Sequence, residues 1–196
     1  GIENYYGIET QSYDQTTHLN EPELLHVFSS GNSGDKAPPD GIYAGLTGYA
    51  NLTGQFKQSK NTICVGAVDS LDQVIAISSR GPAYDGRIKP EIVAFGQGGT
   101  SEAAAMVSGV VAILQRVYLE LFQDPDPPAE LIKAILINTA KDIEKPGPDY
   151  ISGFGSVRAY EAVRTIEERW FRLDSVGAAD TNEFVITLPG NSTNLK

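Results

Sequence analysis

One stretch constrains this chain more than any other. From Glu102 to Phe122 no proline interrupts, and Gly109 is the only glycine. Ala103 to Val107, Val110, Val111, Ile113 and Leu114 make the first half apolar on nearly every face, and charge returns only at Arg116 and Glu120. A helix of this kind is expected to be buried at its apolar end and to surface at the other. Such burial needs partners, and short apolar runs ahead of it supply them. Leu24 to Phe28, Thr62 to Val68, Val74 to Ser78 and Glu91 to Phe95 each read as a strand that stops at turn residues. A second helix is expected from about Pro128 through Ile137, and a third over about Ser156 to Glu168 with Ser156 as N-cap. Residues 1–23 are polar and Tyr-rich and carry no clear period. Buried strands feeding long helices predict an α/β fold with a mainly parallel sheet.

After Trp170 the texture changes. Phe184 to Leu188 reads as a strand and Pro189 to Ser192 as a turn, but one strand cannot make a sheet. Residues 176–196 are therefore read as a linker and the first strand of a following β-domain, and residues 1–175 as one unit. The only methionine is Met106, so the chain is expected to begin inside a longer gene product. With 25 acidic against 15 basic side chains and a net charge of −10, a broad phosphate-neutralising face is excluded, and neither nucleic acid nor an anionic membrane is an expected partner. The single cysteine, Cys64, lies in the apolar run Thr62 to Val68 and reads as a buried structural thiol.

Two places can carry chemistry. Gly98-Gly99-Thr100-Ser101-Glu102 opens directly into the long helix, where glycines permit close backbone approach and the helix terminus gathers N–H groups and positive dipole. Taken alone, this is either an N-cap in a Gly-rich turn or a nucleophilic serine whose oxyanion the terminus stabilises. A Walker-type phosphate loop is excluded, because no lysine follows the glycines. The second place is Ser29-Ser30-Gly31-Asn32-Ser33-Gly34, which sets a neutral amide at the carboxyl end of a strand, where open α/β sheets bind ligands. Asn32 is there either a turn residue or an oxyanion donor.

The motifs in order are Phe28 to Gly34, Val65-Gly66-Ala67-Val68-Asp69, Ser78-Ser79-Arg80-Gly81-Pro82, Asp85 to Ala94, and Gly99-Thr100-Ser101 with Ser108-Gly109. Together they resemble the subtilisin-like serine peptidases, over about residues 20–170. The resemblance implies a three-layer subtilisin-like fold, here incomplete at its N-terminal side, and a secreted enzyme followed by a β-sandwich. It implies that Ser101 is the nucleophile, that Asn32 and the Ser101 N–H form the oxyanion hole, and that Ser29, Ser30 and Gly31 form one wall of the pocket for the side chain preceding the cut bond. Gly99 and Thr100 match the turn that presents the nucleophile.

The chain departs from the family pattern where the remaining triad members belong. In the family, Asp and His lie upstream of the Gly-Asn strand, and neither motif is present. His18 and His26 stand in the wrong contexts, His26 reading as a core or sheet-end residue and His18 as a surface one. The missing N-terminal segment is expected to supply both groups and further strands. Glu102 replaces an apolar residue, Ala105 a proline and Met106 a histidine, and Phe95 to Gly98 are all that remains of a longer excursion. No cofactor is required for the chemistry. Subtilases often bind calcium, and Asp35, Asp40, Asp69, Asp72, Asp85 and Asp126 could each ligate a structural ion. None forms a spaced calcium loop, no site is assigned, and each reads as a turn acid. Asn51-Leu52-Thr53 and Asn191-Ser192-Thr193 fit the glycosylation pattern. Two readings compete: a serine endopeptidase acting on peptide or protein substrates, and a degenerate subtilase-fold module kept for binding or assembly. An α/β-hydrolase is excluded, since no Gly-x-Ser-x-Gly elbow surrounds any serine.

Overall fold

The computed structural model describes residues 1–122 and 126–185. Strands β1 (Val27–Ser29), β2 (Ile63–Val68) and β3 (Ile92–Phe95) form one parallel sheet in the order β1-β2-β3. Val27 pairs with Ile63 and Val65 with Ile92. The helices are α1 (Ile8–Gln15), α2 (Thr100–Phe122), α3 (Ala129–Thr139) and α4 (Ala159–Glu167). Because side chains alternate along a strand, Ile63, Val65, Ala67, Ile92 and Ala94 share one face. There they join Ala103, Val107 and Leu114 of α2, Ile132 and Leu136 of α3 and Ile166 of α4 in a single core. On the opposite face, Phe28 packs against Tyr13 of α1 and Phe56, with ring centroids 5.0 and 4.9 Å apart. The result is a parallel sheet between helical layers, with β1 as its half-buried outer strand. Helix α2 is long and apolar enough to cross a membrane, but here it packs across all three strands.

Several elements differ from the sequence reading. Residues 74–78 do not form a strand: Val74 makes only an isolated antiparallel bridge to Val68. The Asp69 carboxylate accepts the Leu71 and Gln73 N–H groups and turns the chain back at once. The next backbone groups close a turn, with Ser78 N–H on the Ile75 carbonyl. The first strand starts at Val27 because Leu24 N–H is spent on the Glu21 carbonyl in a turn. Ser156 is not an N-cap, since its backbone bridges Val93 and Lys141, and α4 begins at Ala159. Helix α1 escaped notice because its inward face is polar. Thr10 donates to the Gln55 carbonyl, and the buried Asp14 accepts the Lys60 and Asn61 N–H groups and the Tyr6 hydroxyl. The expected strand at 184–188 and the turn at 189–192 lie mostly outside the described residues, and Phe184 and Val185 are in neither helix nor strand.

The largest departure concerns α2. Only one stripe is buried: Thr100, Ala103, Val107, Val111, Leu114 and Tyr118, at spacings of three or four residues. Ala105, Gly109 and Ala112 are exposed, and Met106 and Ile113 are 48% and 52% exposed. The apolar first half is therefore covered on one side only.

Charge is also buried. Lys89, fully inaccessible, pairs with Glu91 at 2.6 Å, and Lys133 reaches the same carboxylate oxygen at 3.0 Å. The other Glu91 oxygen accepts the Cys64 N–H at 2.7 Å. Burial alone raises a carboxyl group, but the two ammonium groups and these hydrogen bonds hold Glu91 below its ordinary pKa. Cys64 is buried, as expected. Asn51 is inaccessible too, donating to the Lys36 carbonyl and accepting the Arg80 N–H, so this sequon is closed in the folded chain. Asn191 lies outside the described residues.

Candidate active site

The two sequence motifs meet at the tip of β1. Asn32 follows the strand by three residues, and its Oδ1 accepts both the Thr100 N–H (3.0 Å) and the Thr100 hydroxyl (2.9 Å). The Thr100 hydroxyl in turn accepts the Gly31 N–H at 3.1 Å. Thr100 is buried and opens α2, so three hydrogen bonds fasten the strand tip to the helix head. Gly99 makes the approach possible. Its φ is +135°, and a Cβ there would stand 2.9 Å from Asn32 Nδ2, so glycine is required on both counts.

Ser101 follows, exposed, in the first turn of α2. Since Oδ1 is spent on Thr100, the Asn32 carboxamide is fixed in orientation and its Nδ2 has no acceptor among the described residues. A neutral N–H donor, a free hydroxyl and the N–H groups of a helix start thus stand on adjacent positions. Such a set can receive a carbonyl oxygen on which negative charge develops. Glu102 is engaged with the loop before the serine: its Oε2 accepts the Gly98 N–H at 2.9 Å and secures that short segment.

Ser29, Ser30 and Gly31 run alongside. Ser30 N–H donates to the Val65 carbonyl, Gly31 C=O accepts the Ser79 N–H, and Gly31 adopts φ +113°. Thr53, which the sequence reading passed over, fills the space beside Gly31. A Cβ on Gly31 would lie 2.3 Å from Thr53 Oγ1, and Thr53 N–H donates to the Ser30 carbonyl at 3.1 Å. Nothing in the local sequence announces that contact, because it joins residues 22 positions apart.

Neither histidine approaches Ser101. His26 stands before the start of β1, whereas Asn32 lies beyond its other end. The His26 ring stacks on Phe28 and meets Tyr13 edge-on at 4.9 Å, and burial lowers its pKa. His18 is exposed on the wide helical turn after α1. Of the acids, Asp69 accepts turn N–H groups, Asp72 meets Lys141 and Ser156, and Asp85 meets Arg87. Among the described residues no three His, Cys, Asp or Glu side chains gather as metal ligands.

A family model of the subtilases, "Peptidase_S8: Subtilase family", matches residues 4–155. The chain belongs to the subtilase family. A subtilisin-like protease of Arabidopsis thaliana, SBT6.1, is 32% identical over 146 residues, covering 62% of this chain and 14% of that protein. The CspB protease of Clostridium perfringens superposes with a TM-score of 0.56 at 30% identity, over 63% of this chain and 30% of its own. The patellamide maturation protease PatA superposes with a TM-score of 0.62 at 18% identity, over 86% of this chain and 60% of its own. This subtilase-family protease domain thus spans less than two thirds of each relative. Its three-stranded parallel sheet with flanking helices is a subtilisin-like α/β fold in incomplete form.

Proposed function

We propose that this chain carries the nucleophile and oxyanion-binding part of a serine endopeptidase, with its general base and orienting carboxylate supplied from outside these 196 residues. The observation that carries the reading is the Asn32 carboxamide, locked through Oδ1 to Thr100 with Nδ2 left unspent beside the residue that precedes Ser101. In this reading Ser101 Oγ attacks the carbonyl carbon of a peptide bond and forms an acyl-enzyme. The carbonyl oxygen, now negative, takes hydrogen bonds from Asn32 Nδ2 and the Ser101 N–H. The C–N bond breaks as the amine leaves with the proton that the external base took from Ser101 Oγ. Water, deprotonated by the same base, then cleaves the ester and frees the acid while Oγ regains its proton. Ser29 to Gly31 flank the side chain that precedes the cut bond, and Glu102 keeps Gly98 in place for the turn.

Proton transfer needs a group this chain does not bring to Ser101, since its two histidines lie elsewhere. Two surfaces fit the arrival of more protein. The outer edge of β1 carries no ladder among the described residues, and the outer face of α2 presents Met106 and Ile113. A segment adding a parallel strand at β1 and apolar cover over α2 brings new side chains to the Ser101 end of the sheet.

The test is labelling of the whole gene product with a fluorophosphonate. Stoichiometric reaction at Ser101, abolished by Ser101→Ala, is the expected result. Asn32→Ala lowers turnover about 10²–10³-fold, the usual cost of one oxyanion donor. Absence of labelling in the intact wild type overturns the peptidase reading and favours a non-catalytic module.

A further inference from the structure

Behind the Ser29–Gly31 wall stands a buried cation without a counter-ion. Lys57 is 6% exposed. Its ammonium group donates one hydrogen bond, to Thr53 Oγ1 at 2.7 Å, and lies 5.7 Å from the centre of the Phe56 ring. Among the described residues no carboxylate comes within 4.0 Å of it. Glu3, on the adjoining segment, accepts the Gln55 N–H through Oε2 and makes no ion pair with Lys57 within 4.0 Å. A buried ammonium with two protons unbonded is costly unless something completes it, and burial lowers its pKa accordingly. The contrast within the molecule is direct, because the buried Lys89 has Glu91 at 2.6 Å.

Thr53 links this cation to Gly31. Its side chain is partly exposed and occupies the space that a side chain at position 31 would take. Its hydroxyl oxygen accepts from Lys57, so its own proton points elsewhere, and it has no acceptor among the described residues. A hydroxyl that accepts from an ammonium is polarised and becomes a better donor to an anion. Thus the surface beside Gly31 offers a charge-assisted O–H with positive charge behind it.

Resting on the peptidase reading above, we infer that Thr53 and Lys57 select an acidic side chain, Glu or Asp, at the position preceding the cleaved bond. The substrate carboxylate accepts the Thr53 proton and supplies the counter-charge that Lys57 lacks. A site built to hydrogen-bond a group discriminates against analogues that cannot satisfy it.

The experiment compares peptides that differ only in Glu against Gln, and Asp against Asn, at that position, using the whole gene product. The wild type is expected to favour the acid at least tenfold in kcat/KM. Lys57→Met, which replaces the buried ammonium with an apolar side chain of similar length, brings the ratio near one, as does Thr53→Val, which removes only the hydroxyl. Circular dichroism establishes that each variant is folded, and Thr53→Val carries the test if Lys57→Met is not. Equal cleavage of Glu and Gln peptides by a wild type that fluorophosphonate labels overturns this inference and leaves the peptidase reading intact. A preference that survives both substitutions overturns it as well. A wild type that fluorophosphonate does not label overturns the peptidase reading first, and the selectivity with it.

Discussion

The two sides of α2 are built from the same kinds of residue and meet different surroundings. Ala103, Val107, Val111 and Leu114 lie against the sheet, inaccessible or nearly so. Ala105, Met106, Gly109, Ala112 and Ile113 face outward over the same turns. The strands repeat the contrast: every residue of β2 is buried, while all three of β1 are only half-buried. Apolarity on the inner side is used by this fold, whereas on the outer side it is a property of the sequence that these residues leave uncovered. Ser101 heads that helix, so the uncovered side and the candidate nucleophile adjoin.

The inner side has no slack, and the sharpest way to expose this is to remove Glu91, the carboxylate buried between two lysines. Glu91→Ala strands Lys89, fully inaccessible, without a partner, and is expected to cost about 3–5 kcal/mol, the usual penalty for breaking a buried pair from one side. The same group sets an acid limit. Its folded pKa is depressed, so its contribution is complete above the unfolded carboxyl value and fades as pH falls through the folded one. Urea titrations between pH 7 and pH 3 read this, and a Glu91→Ala variant as stable as the wild type would break the contrast. Next comes a paired substitution on neighbouring residues of α2. Leu114→Ala, inside the core, is expected to lose about 2–5 kcal/mol, and Ile113→Ala, 52% exposed, at most about 0.5 kcal/mol in this chain. If the whole gene product covers the outer face, Ile113→Ala becomes costly there. Equal costs for the two substitutions in the isolated chain would show that α2 is seated differently.

Much of this arrangement was legible beforehand, and the reasons are local. Thr62 to Val68 and Glu91 to Phe95 are continuous apolar runs because both faces of their strands are covered, and runs of that kind announce themselves. Gly99 was legible because a positive φ and a close approach leave few alternatives to glycine. That the Asn32 motif and the Gly99-Thr100-Ser101 motif belong to one site was expected from motif order, not from any periodicity, and the Asn32–Thr100 hydrogen bonds themselves carried no sequence signal. What could not be read was settled by distant partners. Helix α1 points Thr10 and Asp14 inward, so its period is polar. Val74 to Ser78 has the composition of a strand, yet Asp69 closes the turn before a ladder can form. The half-exposed state of α2 was misread for a different reason, since composition states what a helix needs and not whether its neighbours are present. Lys57 and Thr53 escaped notice because an ordinary Thr-x-x-x-Lys spacing carries no signal until Gly31 is seen against it.

A smaller effect tests how complete the cover over β2 is. Cys64 lies on the face of β2 turned away from α2, and burial pushes its thiol up to about 12. An unfolded thiol ionises near 8.5, so from about pH 8.5 upward the unfolded chain releases a proton that the folded chain keeps. Stability from this group is therefore full below that pH and declines above it, by about 1.4 kcal/mol per pH unit at most. Below pH 9.5 the other raised group, the Tyr6 hydroxyl at about 12, adds little, because an unfolded tyrosine ionises near pH 10. Between pH 8.5 and 9.5 the wild type should lose more stability than Cys64→Ala, by up to about 1 kcal/mol, and a thiol reagent should react with Cys64 only on unfolding. Prompt reaction in the folded chain, or parallel pH profiles for the two proteins, would mean that this face of β2 is as open as the outer face of α2, and the inner region would lose its distinction.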